Sequence, residues 1–189
     1  MRRNTEKDFP AERKREVKVH KSRLIKDNQQ YFIDGCNRAY KKIKSIIQSE
    51  DTTRAYGVYN LFAVTSGDKM FYKLYQELKD IIRNYHGKNE PLWMQAWLNY
   101  HTPQQLLDWH NHWWLIHGYV SIDPKDTTTV FEDGSKIKNE VGNIYIGPCK
   151  RTHKVTIDKN FSGHRITIGF DVIDQYNYKN NDKISFIPI

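Results

Sequence analysis

Two segments in the N-terminal half of the chain carry apolar residues at the three- and four-residue spacing of amphipathic helices. In the first, Asp34 is the predicted N-cap, and the apolar positions are Tyr40, Ile43, Ile46 and Ile47. In the second, Asp68 is the predicted N-cap and Gly87 the end. Its apolar positions are Phe71, Leu74, Tyr75, Leu78, Ile81, Ile82 and Tyr85. The pattern therefore predicts helices within residues 34–86.

From Pro91 onward the pattern changes to short runs of branched and aromatic residues separated by turn residues, which is typical of strands. The predicted strands cover residues 92–100, 113–122, 127–131, 143–146, 153–157 and 165–172. Asp133-Gly134, Gly147-Pro148 and Ser162-Gly163 are turn signals between them. Helices followed by six to eight strands predict an α+β domain in which an antiparallel sandwich or open barrel is backed by the N-terminal helices.

Composition is consistent with a single folded domain. The chain has 189 residues, including 5 Trp, 12 Tyr and 8 Phe, which is enough to bury a substantial core. We assign residues 1–30 to a basic arm and 31–189 to the domain. The domain contains the helices, a β core over 92–173 and an extension over 174–189 that ends in a short strand at 184–187.

The arm accounts for much of the net charge of +8, which arises from 30 Lys and Arg against 22 Asp and Glu. Its basic residues are Arg2, Arg3, Lys7, Arg13, Lys14, Arg15, Lys18, Lys21, Arg23 and Lys26. Such a block is either a solvated arm that aids solubility or a binding segment for nucleic acid or another acidic partner.

Cysteine content and hydropathy indicate a soluble protein of a reducing compartment. Cys36 and Cys149 are far apart and form no CxxC pattern, so neither a disulfide framework nor a cysteine zinc site is expected. No apolar stretch approaches the length of a membrane span, and the N-terminus has no signal-peptide segment. We expect a cytoplasmic location. Oligomeric state is not indicated.

Two histidines one residue apart are the strongest chemical signal. In a strand, Asp108, His110 and His112 would share one face, because side chains two residues apart point the same way. An imidazole pair suits a divalent metal, and His153, which begins a later strand, is the candidate third ligand. An HxH pair alone, or a lone histidine such as His153, is more often structural than metal-binding. The remaining histidines, His20, His86, His101, His117 and His164, are treated as structural.

Arg165 and Thr167 lie on one face of the last long strand, and Ile166 and Ile168 on the other, so the apolar face can pack while the polar face points inward. An inward arginine needs an anionic partner. A carboxylate of a bound cosubstrate would match the guanidinium fork, and a structural salt bridge to Asp or Glu is the alternative.

In their order and spacing, residues 92–173 resemble the Fe(II)/2-oxoglutarate-dependent oxygenases, in particular a prolyl-hydroxylase-like group of hydroxylases. The stretches that carry the resemblance are Trp97-Leu98-Asn99-Tyr100, Asp108-Trp109-His110-Asn111-His112, His117-Gly118-Tyr119-Val120-Ser121, Val141 to Pro148 with His153, and Arg165-Ile166-Thr167-Ile168-Gly169-Phe170. The resemblance implies a double-stranded β-helix, a jelly-roll or cupin-like barrel that holds Fe(II) and the cosubstrate 2-oxoglutarate.

By the same resemblance, His110, His112 and His153 hold the metal, and Arg165, assisted by Thr167, binds the far carboxylate of 2-oxoglutarate. Most relatives have Asp or Glu where this chain has His112, so the expected centre has three histidines. Alternatively, Asp108 supplies the missing carboxylate from the same face.

Three functions remain open from the sequence. The first is a 2-oxoglutarate-dependent dioxygenase that hydroxylates an unidentified, anionic or macromolecular substrate and releases succinate and carbon dioxide. The second is a cupin-like nucleic-acid-binding module with a structural or vestigial metal. The third is a three-histidine dioxygenase that does not use 2-oxoglutarate. The cluster Trp109, Trp113 and Trp114 belongs either to the core or to a substrate cleft.

Overall fold

The computed structural model describes residues 16–189, so the first half of the basic arm lies outside the described residues. The helices are α1 (Arg23–Asp27), α2 (Gln29–Ile47), α3 (Leu61–Val64), α4 (Lys69–His86) and α5 (Gln175–Lys179), with a short 3-10 helix at Pro103–Gln105. The strands are β1 (Lys18–Lys21), β2 (Leu92–His101), β3 (Ile116–Asp123), β4 (Thr127–Phe131), β5 (Lys136–Lys138), β6 (Asn143–Pro148), β7 (His153–Ile157), β8 (Arg165–Asp174) and β9 (Ile187–Pro188).

Helix α2 begins before the position predicted from its apolar pattern. Its N-cap is Asn28, so the prediction that Asp34 caps it is wrong. Asp34 lies in the second turn, where its carboxylate accepts a hydrogen bond of 2.9 Å from the side chain of Gln30. The helix extends further towards the N-terminus because that first turn buries Phe32, and tertiary packing outweighs the local capping signal.

Helix α4 has the ends predicted for it. The Asp68 carboxylate accepts hydrogen bonds from the amides of Met70 at 2.9 Å and Phe71 at 3.3 Å. The helix ends at Gly87, whose φ of 72° places it in the left-handed region that a glycine adopts without strain. The buried side chains of this helix are Phe71, Leu74, Leu78, Ile82 and His86.

The strands form two antiparallel sheets. The larger has the order β1-β6-β3-β8-β2-β9, and the smaller has the order β5-β4-β7. Strands β2 and β8 pair along their whole length, from Leu92 opposite Asp174 to His101 opposite Arg165. The predicted strands 127–131 and 153–157 have the observed bounds, and β5, which follows the Asp133-Gly134 turn, was not predicted.

Strand β8 separates an apolar core from a polar interior. Ile166, Ile168, Phe170 and Val172 belong to the hydrophobic cluster that the helices cover. The alternate residues Arg165, Thr167, Gly169 and Asp171 line a cavity on the other side. The predicted two-faced strand is therefore present, and its polar face extends to Asp171.

The α+β class is confirmed, whereas a closed barrel is not formed by the described residues. The smaller sheet contacts the HxH segment through one isolated bridge, between His110 and His153. The strand predicted over 113–122 begins only at Ile116, because Trp113 to Leu115 form no ladder. The two sheets are therefore not joined into a continuous ladder along this edge.

Both ends of the described chain join the larger sheet. Residues 18–21 of the arm form β1, which pairs with β6, so the ordered fold begins before residue 31. At the other end, β9 pairs with Trp93 and Met94 of β2. The short strand predicted at 184–187 thus forms slightly later, at Ile187–Pro188. Within residues 16–189, no helix has the length and apolar character needed to cross a membrane.

Candidate metal centre

The three predicted metal ligands converge because the backbone of the HxH segment pairs with the start of β7. The amide of His110 donates to the carbonyl of His153 at 3.0 Å, and the amide of His153 donates back at 2.9 Å. The amide of His112 donates to the carbonyl of Cys149 at 2.9 Å. These bonds place one potential ligand nitrogen of each histidine within 4.8 Å of the other two.

Each of these imidazoles is held by a hydrogen bond at Nδ1. The Nδ1 of His110 lies 2.7 Å from the carbonyl oxygen of Asp108, and that of His153 lies 2.9 Å from the carbonyl oxygen of Arg151. The Nδ1 of His112 lies 3.1 Å from a carboxylate oxygen of Asp171. Because all three partners are acceptors, they select the tautomer with hydrogen on Nδ1 and leave the Nε2 lone pair to bind a metal.

One of these nitrogens lacks a partner within the described chain. The Nε2 of His112 is buried and forms no hydrogen bond there. An orphaned buried nitrogen is costly unless a ligand satisfies it. The donor set therefore fits a divalent metal that prefers imidazole.

Burial keeps two of the imidazoles, those of His110 and His153, in the neutral form that metal binding requires. It lowers the pKa of His153 to about 2, with further lowering from the nearby His117 and His110. Burial also lowers the pKa of His110, although the Asp108 carbonyl opposes this. At neutral pH both rings are unprotonated, so no proton has to leave before a metal binds.

Sequence reasoning missed two polar residues beside this cluster, Asp171 and His117. His117 was treated as structural, yet its Nδ1 lies 2.8 Å from Oδ1 of Asp171, while His112 contacts Oδ2 of the same carboxylate. Burial raises the pKa of Asp171, but His112 and His117 outweigh burial and hold it below its usual range. A period-two continuation of the polar face from Arg165 through Thr167 would have reached Asp171.

Arg165 is buried at the opposite end of the polar face. Its exposed fraction is 3%, and its hydrogen-bond partners are the hydroxyls of Thr127 at 3.4 Å and Thr167 at 3.2 Å. No acidic side chain within residues 16–189 forms an ion pair with it. Burial lowers its pKa to about 10, so it remains a cation at neutral pH. The alternative of a structural salt bridge is not observed among these residues.

A single cavity of about 410 Å³ connects the histidines with Arg165. Its polar wall includes Asn99, Tyr119 and Thr129, whose side chains are tied into hydrogen bonds with their neighbours. The residues that line the cavity are Thr53, Arg54, Tyr56, Trp97, Asn99, His101, Leu107, His110, Asn111, His112, Trp113, Trp114, His117, Tyr119, Thr129, His153, Val155, Arg165, Thr167, Gly169 and Asp171.

The tryptophans of the HxH segment lie at the surface or the cavity wall. Trp109 is 46% exposed and Trp113 is 81% exposed, so these two are not core residues. Trp113 and Trp114 line the cavity, which is consistent with the interpretation as a cleft. Asp108 is not part of the group of side chains that could share a metal with His110, and its backbone carbonyl contacts that histidine instead.

Comparisons with known proteins do not establish a family. No family model matches the chain, and no curated protein matches it. Among solved structures, the chain is similar to a crystal structure described as that of a "Putative oxygenase" from Shewanella oneidensis, with a TM-score of 0.46 and 11% sequence identity. The similarity covers 84% of this chain and 81% of that one.

Proposed function

We propose that this protein is an Fe(II)- and 2-oxoglutarate-dependent dioxygenase built on a double-stranded β-helix core. The observation that carries the proposal is the buried guanidinium of Arg165, which lacks an acidic partner within residues 16–189 and lines the same cavity as the three histidines. A cavity with a cation at one end and metal-binding nitrogens at the other suits a ligand with a carboxylate at one end and a chelating group at the other.

2-Oxoglutarate has this pattern of groups. Its far carboxylate would accept two parallel charge-assisted hydrogen bonds from Arg165 and one from the hydroxyl of Thr167. Its keto-acid end would then face the histidines. The hydroxyls of Thr127 and Thr167 already contact the guanidinium, so its orientation is set before the ligand arrives.

His110, His112 and His153 are the residues that would hold Fe(II), each through Nε2. When bound, the iron would supply oxygen activation, with one oxygen atom of O₂ entering succinate and the other entering the hydroxylated product, while carbon dioxide is released. The chain itself binds, orients and encloses the reactants. Trp113 is exposed and lines the cavity wall, which supports a role in contacting the unidentified substrate.

Anaerobic titration tests this proposal. Adding Fe(II) and 2-oxoglutarate together to the protein should produce a weak visible charge-transfer band, and admitting oxygen should yield succinate. The variant Arg165→Met should need a far higher concentration of 2-oxoglutarate for the same band. No band and no succinate from the wild-type protein would contradict the proposal.

The presence of His112 in place of a carboxylate favours one second candidate. Three-histidine centres are suited to dioxygenases that oxidise a substrate without a keto acid, and the described group of three imidazoles has that composition. Oxygen uptake that is independent of 2-oxoglutarate, and unchanged by Arg165→Met, would support this candidate over the first.

A further inference from the structure

The carboxylate of Asp171 contacts the Nδ1 edges of two stacked imidazoles, those of His112 and His117, and does not involve Arg165. Its Oδ1 lies 2.8 Å from Nδ1 of His117, and its Oδ2 lies 3.1 Å from Nδ1 of His112. The residue is 1% exposed. It comes from β8, where it lies directly opposite His117 of β3, so the register of the larger sheet brings the two together.

Asp171, His112 and His117 also have three potential ligand atoms within 4.8 Å of one another, so a second metal ion has to be considered. The ring planes of His112 and His117 are 12° apart, with centroids separated by 3.6 Å. The nitrogen lone pairs lie in the ring planes, so one ion cannot be in the plane of both stacked rings. Each Nδ1 instead faces its own oxygen of the carboxylate, which is the arrangement of two N–H donors and one acceptor group.

We propose that Asp171 is the positioning residue of the metal centre: its carboxylate fixes His112 with hydrogen on Nδ1 and the Nε2 lone pair towards the metal, and supplies the negative charge that the three-histidine ligand set lacks. This rests on the metal centre of the proposed function but not on the use of 2-oxoglutarate. It explains how His112 can occupy a ligand position that is usually a carboxylate in the family that the sequence resembles.

Charge supports the second half of the proposal. Of the described residues that line the cavity, Asp171 is the one with an acidic side chain. A carboxylate hydrogen-bonded to a ligating imidazole makes that imidazole a stronger donor and offsets part of the metal's charge. The carboxylate of Asp171 would therefore not contact the metal itself. It would contact His112, which binds the metal.

The test is metal affinity, measured by calorimetry with Co(II) alone, together with the visible absorption of the Co(II)-loaded protein. Asp171→Asn keeps the side-chain size but offers one acceptor and one donor in place of two acceptors, so one imidazole loses its partner. We expect Co(II) binding to weaken about 10- to 100-fold, with a changed absorption spectrum. Asp108→Asn is the matched control, because the Asp108 side chain is outside the cluster and only its backbone carbonyl contacts a ligand.

A second control separates the two histidines. His117→Gln leaves the contact between Asp171 and His112 in place, so it should retain Co(II) affinity within a few-fold of the wild type. Equal affinities for wild type, Asp108→Asn and Asp171→Asn would overturn the positioning role while leaving the metal centre intact. Absence of Co(II) binding by the wild type would overturn both the centre and the role.

If Asp171→Asn does not fold, nitrogen NMR of the wild-type protein without metal gives the answer directly. We expect the ring hydrogen of His112 to be on Nδ1, which lies within hydrogen-bond distance of Asp171. Finding hydrogen on Nε2 of His112 would overturn the proposal, because that nitrogen would then not be available to the metal.

Discussion

His110 and His153 are joined by two backbone hydrogen bonds. Each amide donates to the carbonyl of the other, at 3.0 and 2.9 Å. This backbone pairing brings their imidazole rings together, with centroids 4.3 Å apart. The geometry of the candidate metal centre is therefore set by a pair of main-chain hydrogen bonds between a loop and a strand. Side-chain substitutions can remove ligands from this frame without removing the bonds that build it.

Removing one ligand should abolish metal-induced stabilisation and leave the fold in place. For His153→Ala we expect no increase in melting temperature with Co(II). For the wild type, a metal concentration one hundred times the dissociation constant adds about 2.7 kcal/mol. His164→Ala is the control, because that ring stacks on Tyr100 and does not line the cavity. Undiminished stabilisation of His153→Ala would place the metal elsewhere.

Replacing Arg165 by Met should separate stability from ligand binding. The buried guanidinium lacks an ion-pair partner within the described residues, so a neutral side chain of similar length removes an uncompensated charge. We expect Arg165→Met to raise the melting temperature of the ligand-free protein by roughly 2–4 °C for each kcal/mol gained. It should lose the added stabilisation that 2-oxoglutarate gives in the presence of Co(II).

Arg54→Met is the control for that experiment, since Arg54 lines the same cavity and its side chain is 89% exposed. It should keep the stabilisation by 2-oxoglutarate. Equal stabilisation of Arg165→Met and wild type would exclude Arg165 as the carboxylate site.

The close packing of Trp97 against β8 should not tolerate a side chain at Gly169. A Cβ there would lie 2.4 Å from Cε2 of Trp97, whose indole N–H donates to Asn99 at 2.9 Å. We expect Gly169→Ala to cost about 1–3 kcal/mol of unfolding free energy, measured in urea. Gly67→Ala, where nothing lies within 4 Å, should cost nothing measurable. Similar stabilities for the two variants would show that Trp97 moves freely.

Cys36 should resist alkylation in the folded protein. Burial raises the pKa of its thiol to about 12, so the reactive thiolate is scarce at pH 8. Above pH 9 the thiol ionises in the unfolded chain but not in the folded one, so its contribution to stability is lost as pH rises. Mass spectrometry after iodoacetamide treatment should find Cys36 unmodified until urea is added. Rapid modification of the native protein would show that helix α2, which contains Cys36, opens readily.

Much of the secondary structure follows from local pattern. The alternation within Thr127–Phe131 and His153–Ile157 and the cap at Asp68 each involve neighbouring residues, and the structure has them as expected. The start of α2 depends instead on where Phe32 is buried, which is a tertiary property. Strand β1 forms because β6 offers it an edge, and nothing in its own sequence indicates that partner.

Some residues of the candidate site could likewise be predicted from local spacing, whereas others depend on tertiary structure. The HxH pair, His153 and Arg165 carry recognisable spacing, and the structure places them around one cavity. His117 carries no such spacing, and although the alternation of β8 extends the polar face to Asp171, the contact between His117 and Asp171 exists only through the register of β3 against β8. A single histidine and a single aspartate gave no local reason to connect them.

The basic arm gives a separate prediction for the residues before Glu16, which lie outside the described part of the chain. If the arm binds nucleic acid through phosphate contacts, deletion of residues 1–15 should weaken binding to single-stranded DNA and reduce its salt dependence, measured by fluorescence anisotropy. His110→Ala should leave that binding unchanged. If the full-length and truncated proteins bind DNA equally well, the arm has no role in DNA binding and its role is solubility alone.

A crystal structure of the protein with Mn(II), a redox-stable substitute for iron, and 2-oxoglutarate tests the central claim most directly. We expect one metal ion bound by Nε2 of His110, His112 and His153. The keto-acid end of 2-oxoglutarate should bind that ion and the far carboxylate should pair with Arg165 and Thr167. A metal held by other residues, or 2-oxoglutarate whose far carboxylate does not contact Arg165, would contradict the account.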